Sequence, residues 1–337
     1  MKNQIAFVDH NFHKKSRSAD FLREIFKKDY LIKNYWWSLK EQYQLINKIK
    51  DYNNFFFFQS LLPLDDMIKI RDKNIIWAPM YDNLDLSDSY WRKIKYLNIK
   101  VLSFSKPVKE ICLKHGCKNI SLKYALKDIK LENNLSTKNK IKIFFWFRKN
   151  LYTKNWIKLF NEKDIKEIVY FSCPDPGVEP EILDYSTKKK YNFKVIKKPF
   201  LKKKQYLRLI KDSDVYISPR KQEGIGMSFL EALSMGKYII ANNDSTMNEY
   251  ITNDKIGFLI NKNIKNKVDN KKIQKFKNYR IKNSKILFQK WNLNKFKIIK
   301  FFKDKSLKKS RNILFEIIFI DDFFKKFKFK LKNLIVN

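Results

Sequence analysis

Short apolar stretches alternate with longer amphipathic stretches along most of the chain. This alternation is typical of βα units, in which helices cover both faces of a parallel sheet. In the first half, the pattern predicts a helix at residues 19–27 and four strands, at residues 4–8, 55–59, 75–79 and 100–104. Residues 131–140 are polar and lack periodicity, so we expect a linker there.

A second series of apolar stretches follows the linker. It predicts strands at residues 141–147, 167–172, 191–196, 215–218 and 238–241, and helices at 155–161, 203–210 and 227–235. The two series together predict an α/β chain of two Rossmann-like domains, residues 1–135 and 136–262, that face a central cleft. Residues 263–337 are predicted to form a basic helical tail, which either crosses back over the first domain or lies on a membrane surface.

Composition excludes several classes of protein. The sequence has no run of 18 or more apolar residues, which excludes a spanning helix of ordinary length. The first residues contain too short an apolar stretch for a signal peptide, so we expect a cytoplasmic location. Three cysteines (Cys112, Cys117 and Cys173) lack a second Cys/His pair, which supports neither a zinc site nor a disulfide framework.

The net charge of +39 suggests an anionic partner, but the residue types that carry the charge weaken this interpretation. The chain has 64 lysines and nine arginines, together with many Asn, Ile and Phe residues, as the codons of an AT-rich genome favour. Residues 262–337 carry 24 basic and 5 acidic side chains, a net charge of +19. As the cause of the positive charge we rank codon composition first, binding to an anionic membrane surface second and binding to nucleic acid third. Nucleic acid comes last because proteins that read phosphates and base edges favour arginine, which is scarce here.

Glycine marks one candidate site. Four of the six glycines lie between residues 224 and 257, where a predicted strand runs into a loop and then a helix. Gly224 and Gly226 allow the main chain to approach a ligand closely, and the free N–H groups near Met227 suit a phosphate. Glu223 and Glu231 would repel that phosphate, so we expect them to bind hydroxyl groups, as on a sugar.

The segment EGIGMSFLEALSMGK resembles a known family. Glu223, seven residues and then Glu231 match the E-x7-E motif of retaining GT-B glycosyltransferases, and most closely the group 1 family (family 4). The similarity extends upstream through SDVYISPR and downstream over residues 241–257. The resemblance implies the GT-B fold, in which two Rossmann-like domains enclose the substrates.

The resemblance also implies a role for each matched residue. Glu223 would bind hydroxyls of the donor sugar, and Glu231 the ribose hydroxyls of the nucleotide. The segment that would line the sugar and the diphosphate comprises Gly224, Ile225, Gly226, Met227 and Ser228. In the family a basic pair after the first strand of the second domain binds the diphosphate without a metal, and Arg148 and Lys154 match it. Lys149 competes for the second position of that pair.

Two residues flank this segment. Arg220 either braces Glu223 or contacts the donor, and we include it among the donor-binding residues. Glu249 is expected to cap or orient a neighbouring helix.

The first half departs from the family pattern. It lacks the glycine-rich loop after the first strand, and the usual histidine near the donor sugar is also absent. The loop after residues 4–8 instead carries His10 and His13, which we expect to contact the acceptor or the sugar. Asp82 and Gln59 follow other predicted strands and are further acceptor-side candidates. Capping of turns is an equally good interpretation of these two.

The resemblance implies a metal-independent, retaining glycosyltransferase. It would move a sugar from a UDP- or GDP-sugar to a glycan or lipid-linked acceptor, in the synthesis of bacterial surface polysaccharide or lipopolysaccharide. No cofactor is expected, and the basic tail would suit an anionic membrane. Three alternatives stay open: another GT-B enzyme such as a nucleotide-sugar epimerase, a non-catalytic basic protein that binds nucleic acid or membrane, and a degenerate partner subunit.

Overall fold

The computed structural model describes residues 2–38, 41–127, 129, 140–149, 151–198, 201–261 and 267–304. Most of the expected linker at 131–140, and residues 305–337 of the expected tail, lie outside this description.

The first sheet has six strands, all of whose pairings are parallel. Its strands are β1 (Asn3–His10), β2 (Tyr30–Trp37), β3 (Asn54–Gln59), β4 (Asn74–Pro79), β5 (Lys100–Ser103) and β6 (Asn119–Ser121), in the spatial order β2-β1-β3-β4-β5-β6. The run of four phenylalanines in β3 is buried on both faces, as expected for an inner strand of a parallel sheet.

The described residues of the same part of the chain form the helices α1 (His13–Ser16), α2 (Asp20–Phe26), α3 (Gln42–Ile49), α4 (Leu64–Met67), α5 (Asp88–Tyr96) and α6 (Lys106–Lys114). Alternate residues of β1 enter different cores, since Ile5 and Phe7 join one buried cluster and Ala6 and Val8 another. The sheet is therefore covered on both faces.

The second sheet repeats this plan. Its parallel strands are β7 (Ile141–Phe147), β8 (Ile165–Ser172), β9 (Phe193–Lys197), β10 (Val215–Ile217), β11 (Tyr238–Asn242) and β12 (Gly257–Ile260), in the order β12-β11-β10-β7-β8-β9. The helices that follow in the chain are α7 (Tyr185–Lys190), α8 (Lys203–Lys211), α9 (Met227–Ser234), α10 (Met247–Tyr250), α11 (Asn270–Lys275), α12 (Lys277–Asn294) and α13 (Lys297–Lys303). Two doubly wound parallel sheets confirm the predicted α/β class.

The sequence pattern failed in two kinds of place. It missed the edge strands β2, β6 and β12, which are short or carry exposed polar residues because one side of an edge strand has no neighbour. The helix predicted at 155–161 is wrong, since two 3₁₀ turns, Thr153–Asn155 and Ile157–Leu159, stand there. The buried positions here are 156, 157, 159 and 160. Over so short a segment they fit the three-residue period of a 3₁₀ helix as well as the 3.6-residue period of an α-helix, so the pattern could not distinguish the two.

The described part of the tail links the two domains. Ile281 of α12 lies against Gly236 in the second domain, whereas Trp291 packs on Phe21 and Tyr124 of the first. Farther on, the buried Lys100 donates hydrogen bonds to the main-chain oxygens of Phe302 and Asp304, at 2.7 and 2.6 Å. Helix α13 therefore lies against the first domain. Among the described residues, no helix is long and apolar enough to cross a bilayer.

Candidate active site

The loop between β10 and α9 lies where the two domains meet. Strand β10 is central in the second sheet, so its carboxyl end opens into the cleft. A Cβ atom added to Gly224 would lie 2.6 Å from Sδ and 2.7 Å from Cβ of Met80, which follows β4 of the first domain. Gly226 has a φ of 72° and begins α9 in the left-handed conformation. Close approach explains the first glycine, and backbone conformation explains the second.

Helix α9 presents its N-terminus at this loop. No acidic residue lies in its first turn and no side chain caps it. The N–H groups of Met227 and Ser228 are among those that have no acceptor within the helix, because the first turn lacks preceding carbonyls. Together with the helix dipole they suit an anion such as a phosphate.

Glu223 is a buried carboxyl group beside this N-terminus. Its residue is 7% exposed, and its main-chain N–H donates to the oxygen of Ser245 at 3.1 Å. Burial raises the pKa of Glu223 to about 7, although the positive charges of Arg220 and Arg148 oppose the increase. Near neutral pH the group is therefore present in both forms, and it can donate or accept a hydrogen bond with a hydroxyl group.

Glu231 lies farther along α9 and has a cationic partner. It is buried and forms an ion pair with Lys203 at the start of α8. Burial raises the pKa of Glu231, and the positive charge of Lys203 counteracts part of this effect. The E-x7-E spacing thus brings two buried carboxyl groups to one loop and helix, each close to at least one cation.

Arg148 and Arg220 meet on one carboxylate. Arg148 follows β7, and its Nε and Nη2 donate to Oδ1 of Asp175 at 2.9 and 2.8 Å. Arg220 donates from its own Nε and Nη2 to Oδ2 of Asp175 at 3.1 and 2.7 Å. The Arg148 guanidinium also lies 4.7 Å from the centre of the Trp146 ring. Three adjacent strands, β10, β7 and β8, place these groups side by side at the carboxyl edge of the sheet.

Arg220 also connects the two domains. Its Nη1 lies 2.7 Å from Oδ2 of Asp82, which stands just after β4 of the first domain. Burial raises the pKa of Asp82, while the charge of Arg220 opposes this shift. Carboxylates thus bind Nε, Nη1 and Nη2 of Arg220. Arg148 binds Asp175 only through Nε and Nη2, and its Nη1 takes no part in that contact. Of the two arginines, Arg148 is the better placed to receive a phosphate.

Lys154 does not join this cluster. Its side chain is exposed, and its Nζ lies 5.9 Å from the centre of the Tyr152 ring. The neighbouring Thr153 is buried, and its main-chain N–H and Oγ1 donate to Glu181, which holds this turn in place.

The two histidines lie at the carboxyl end of β1. His13 is 8% exposed, and its Nδ1 lies 2.5 Å from Oδ1 of the fully buried Asp9. The other oxygen of Asp9 accepts a hydrogen bond from Nη2 of Arg23 at 2.8 Å. His10 is partly exposed, and its pKa is lowered by burial and by His13. A carboxylate that orients an imidazole in this way leaves the second ring nitrogen available for a substrate.

Glu249 contributes to the contact between the domains. Its Oε1 accepts a hydrogen bond from the main-chain N–H of Lys106 at 2.7 Å, at the first residue of α6. The same oxygen accepts from Ser245 Oγ at 2.6 Å. Glu249, in the second domain, therefore caps α6 of the first domain. The sequence had suggested a role at a helix next to it in the chain.

Three further residues of the site escaped the sequence analysis: Asp175, Lys203 and Met80. Asp175 follows a predicted strand, as Arg148 does, so its place at a strand end was a usable signal. Lys203 is one of 64 lysines, and only the fold shows that it reaches Glu231. Within the described residues, no three His, Cys, Asp or Glu side chains are grouped as metal ligands.

Part of the chain matches a known protein family. Residues 156–287 match the family of glycosyl transferases group 1. The matched range includes the whole of α8 and α9 and the loop that carries Glu223, and it ends within α12. No protein with a curated description matches the chain.

Several solved structures share the architecture of most of the chain. A glycosyltransferase from Rickettsia africae ESF-5 is 15% identical with a TM-score of 0.57, over 90% of this chain and 100% of that one. A lipopolysaccharide outer core galactosyltransferase in its apo form is 12% identical with a TM-score of 0.55, over 88% and 99%. HepE of Anabaena, solved with UDP, is 10% identical with a TM-score of 0.53, over 88% and 98%. At these identities the likeness shows the fold, which is that of the GT-B glycosyltransferases.

Proposed function

We propose that the chain, whose residues 156–287 match the family of glycosyl transferases group 1, transfers a sugar from a UDP- or GDP-sugar, with retention of configuration and without a metal. The observation that carries this proposal is the arrangement of the cleft around Glu223. A helix N-terminus and two buried carboxyl groups come from the loop and helix that follow β10, and the positive charge of Arg148, after the adjacent strand β7, acts on Glu223.

The donor diphosphate would bind at the start of α9 and at Arg148. The N–H groups of Met227 and Ser228 and the guanidinium of Arg148 are fixed donors that can stabilise charge on the leaving diphosphate. Asp175 holds the Nε/Nη2 edge of Arg148, which leaves Nη1 for the phosphate. Lys154 would join only if its turn moved towards the cleft, since its side chain now lies on the Tyr152 ring.

The carboxyl groups would recognise hydroxyl groups. Glu223 would bind the donor sugar, because it is buried next to the diphosphate position and can donate or accept near neutral pH. Glu231 would bind the ribose, which requires it to share or exchange its bond to Lys203. The segment from Gly224 to Ser228, including Ile225, would line the donor.

The acceptor would bind on the first domain. Its hydroxyl group would approach from the side of His13, His10 and Asp82, at the carboxyl edge of the first sheet. In a retaining transfer without a protein nucleophile, the acceptor oxygen bonds to the anomeric carbon on the face from which the diphosphate departs. The C–O bond to the diphosphate breaks as the new bond forms, and the departing phosphate takes the acceptor proton. Closure of the cleft would exclude water, which would otherwise hydrolyse the donor.

Two similar structures support a choice of substrates. The structure of HepE holds UDP, and the other protein is a lipopolysaccharide outer core galactosyltransferase. We therefore place UDP-sugars first among donors, and a glycan or lipid-linked acceptor of surface polysaccharide synthesis first among acceptors. An enzyme with such an acceptor would work at the inner face of the membrane, with residues 263–337 as the expected contact.

Calorimetric titration of UDP, GDP and ADP without metal tests the donor site. We expect saturable binding of one nucleotide to the wild type. Arg148→Ala should weaken this binding by about fiftyfold, because a hydrogen bond to a charged group contributes about 1.5–3 kcal/mol. Lys158→Ala, which removes an exposed cation of the same domain, is the matched control. Folded protein that binds none of the three nucleotides would exclude the donor site.

A further inference from the structure

Helix α12 has one face that packs on the two domains and one that is mostly exposed among the residues that the structure describes. Arg280, Ser284 and Trp291 are buried on the packed side, where the helix joins the two domains. The opposite side exposes Tyr279, Ile286 and Leu293, with 39%, 40% and 67% of their surface accessible. The Tyr279 hydroxyl accepts a hydrogen bond from Nδ2 of Asn253 at 3.2 Å, so Ile286 and Leu293 are the exposed apolar side chains on which the argument rests. The three exposed residues are seven residues apart, and two helical turns of 3.6 residues bring such positions onto one line.

Lysines accompany this line. Lys282 and Lys290 lie three or four residues from the apolar positions, so they fall on the same side of the helix, and both are exposed. We call Tyr279, Lys282, Ile286, Lys290 and Leu293 the outer face of α12. From residue 270 to residue 303 the chain has eleven lysines and one arginine but no acidic residue.

The charge of the outer face selects its partner. A second copy of the chain would bring lysine against lysine along the seam, and like charges repel in that arrangement. An anionic surface is complementary instead. Exposed isoleucine and leucine between lysines suit the boundary between lipid headgroups and acyl chains, into which an interfacial helix inserts its apolar side chains. Nucleic acid would satisfy the lysines but would leave the aliphatic side chains in water.

We propose that the outer face of α12 binds an anionic phospholipid bilayer. Because α12 is packed against both domains, a helix bound in this way would hold the cleft at a constant orientation to the bilayer. The inference extends the proposed lipid-linked acceptor and in that respect rests on the proposed function. Vesicle binding needs no donor, however, so it can fail or succeed independently of nucleotide binding.

Sedimentation of the full chain with vesicles tests this proposal. We expect binding to mixed phosphatidylcholine and phosphatidylglycerol vesicles, and much weaker binding to phosphatidylcholine alone. Lys282→Gln with Lys290→Gln should weaken binding by about thirtyfold, because each lysine near an anionic surface contributes about fivefold. Ile286→Ser with Leu293→Ser should weaken it by about tenfold, and this loss should persist at high salt.

Matched controls come from other surfaces. Lys158→Gln with Lys189→Gln removes the same charge from exposed positions of the second domain, and Ile182→Ser removes a side chain that is 92% exposed. Both should retain binding within about threefold, since surface charges beyond about 10 Å from the bilayer are screened. Circular dichroism and thermal unfolding of every variant confirm that the protein is folded.

Four results would overturn the proposal. Equal losses in the controls would show that general charge, not the outer face, determines binding. A dimer without vesicles that the serine variant dissociates would identify a second copy as the partner. Binding to single-stranded RNA that depends on the lysines but not on Ile286 and Leu293 would indicate nucleic acid. A lower melting temperature of the serine variant, with unchanged vesicle binding, would show that another part of the chain covers the face.

Discussion

The two edges that face the cleft are constructed differently. In the second domain, the loop from Arg220 to Ser228 supplies main-chain N–H groups and buried carboxyl groups within a short segment. In the first domain, Asp9, His13 and Arg23 form a side-chain network in which both oxygens of Asp9 are bonded. A site made from the main chain depends on glycines and can be found in the sequence. A site made from paired side chains depends on contacts that the sequence does not display.

The edges also differ in how their charges are compensated. Glu223 is buried near arginines that are themselves held by Asp175 and Asp82, and burial raises its pKa. Asp9 receives direct bonds from both His13 and Arg23. The negative charge of Glu223 is therefore only partly compensated by the arginines, so a ligand that binds there can change its protonation. The four predictions below test this difference, from the largest expected effect to the smallest.

Glu223→Gln should remove a stability cost that depends on pH. The pKa of Glu223 is raised from 4.5 to about 7, so the folded state binds the proton more tightly than the unfolded state. Wild-type stability therefore falls as pH rises from about 4.5 to about 7, by on the order of 3 kcal/mol. The variant should equal wild type at pH 4 and be more stable at pH 8, as measured by denaturant unfolding. The exposed Glu179→Gln is the control, and a constant difference at all pH values would refute the burial argument.

Gly224→Ala should force the two edges apart. The new Cβ would lie 2.7 Å from Cβ of Met80, and that atom cannot move away without its backbone. We expect a loss of about 2 kcal/mol in unfolding free energy, the usual cost of overpacking, and a larger loss of transfer activity. Gly177→Ala should cost about 1 kcal/mol through its φ of 76°, but it should leave transfer activity unchanged, because no atom lies within 4 Å of its added Cβ. Unchanged stability and activity would mean that the loop does not touch the first domain in solution.

His13→Gln should affect the acceptor and spare the donor. It removes the imidazole that Asp9 orients, so acceptor kcat/KM should fall about tenfold, the effect of one lost hydrogen bond to an oriented group. The Kd of the nucleotide should stay within about twofold, because no donor contact is removed. His115→Gln alters a first-domain histidine next to Asp88 and controls for general effects. Equal losses of donor and acceptor binding would place His13 in a structural role only.

Lys154→Ala should have the smallest effect. Its side chain is exposed on the Tyr152 ring and takes no part in the arginine cluster, so nucleotide affinity should change by about twofold. Calorimetric titration beside Arg148→Ala measures the difference between the two cations of the resemblance. A tenfold loss would show instead that the turn at Thr153–Asn155 moves into the cleft when the donor binds.

Features that depend on residues close together in the sequence were predicted, whereas contacts between distant residues were not. Inner strands such as β3 and β7 were predicted because a strand that is buried on both faces has a continuous run of apolar residues. The edge strand β2 was missed, since exposed Lys33 and Asn34 interrupt its apolar pattern. Glu223 and Glu231 were predicted as site residues from a fixed spacing, whereas Asp175 contacts two arginines that are far from it in the chain.

By itself the sequence determined the α/β class, the tandem order of the sheets, and the loop in which glycines permit a close approach of the main chain. These depend on local backbone preference and on the periodicity of burial, both of which are present along the chain. Only the tertiary structure decided that Asp175 joins Arg148 to Arg220, that Lys203 reaches Glu231, and that α12 turns one face to solvent. Such contacts join residues distant in sequence, and the packing of whole sheets and helices sets their distances.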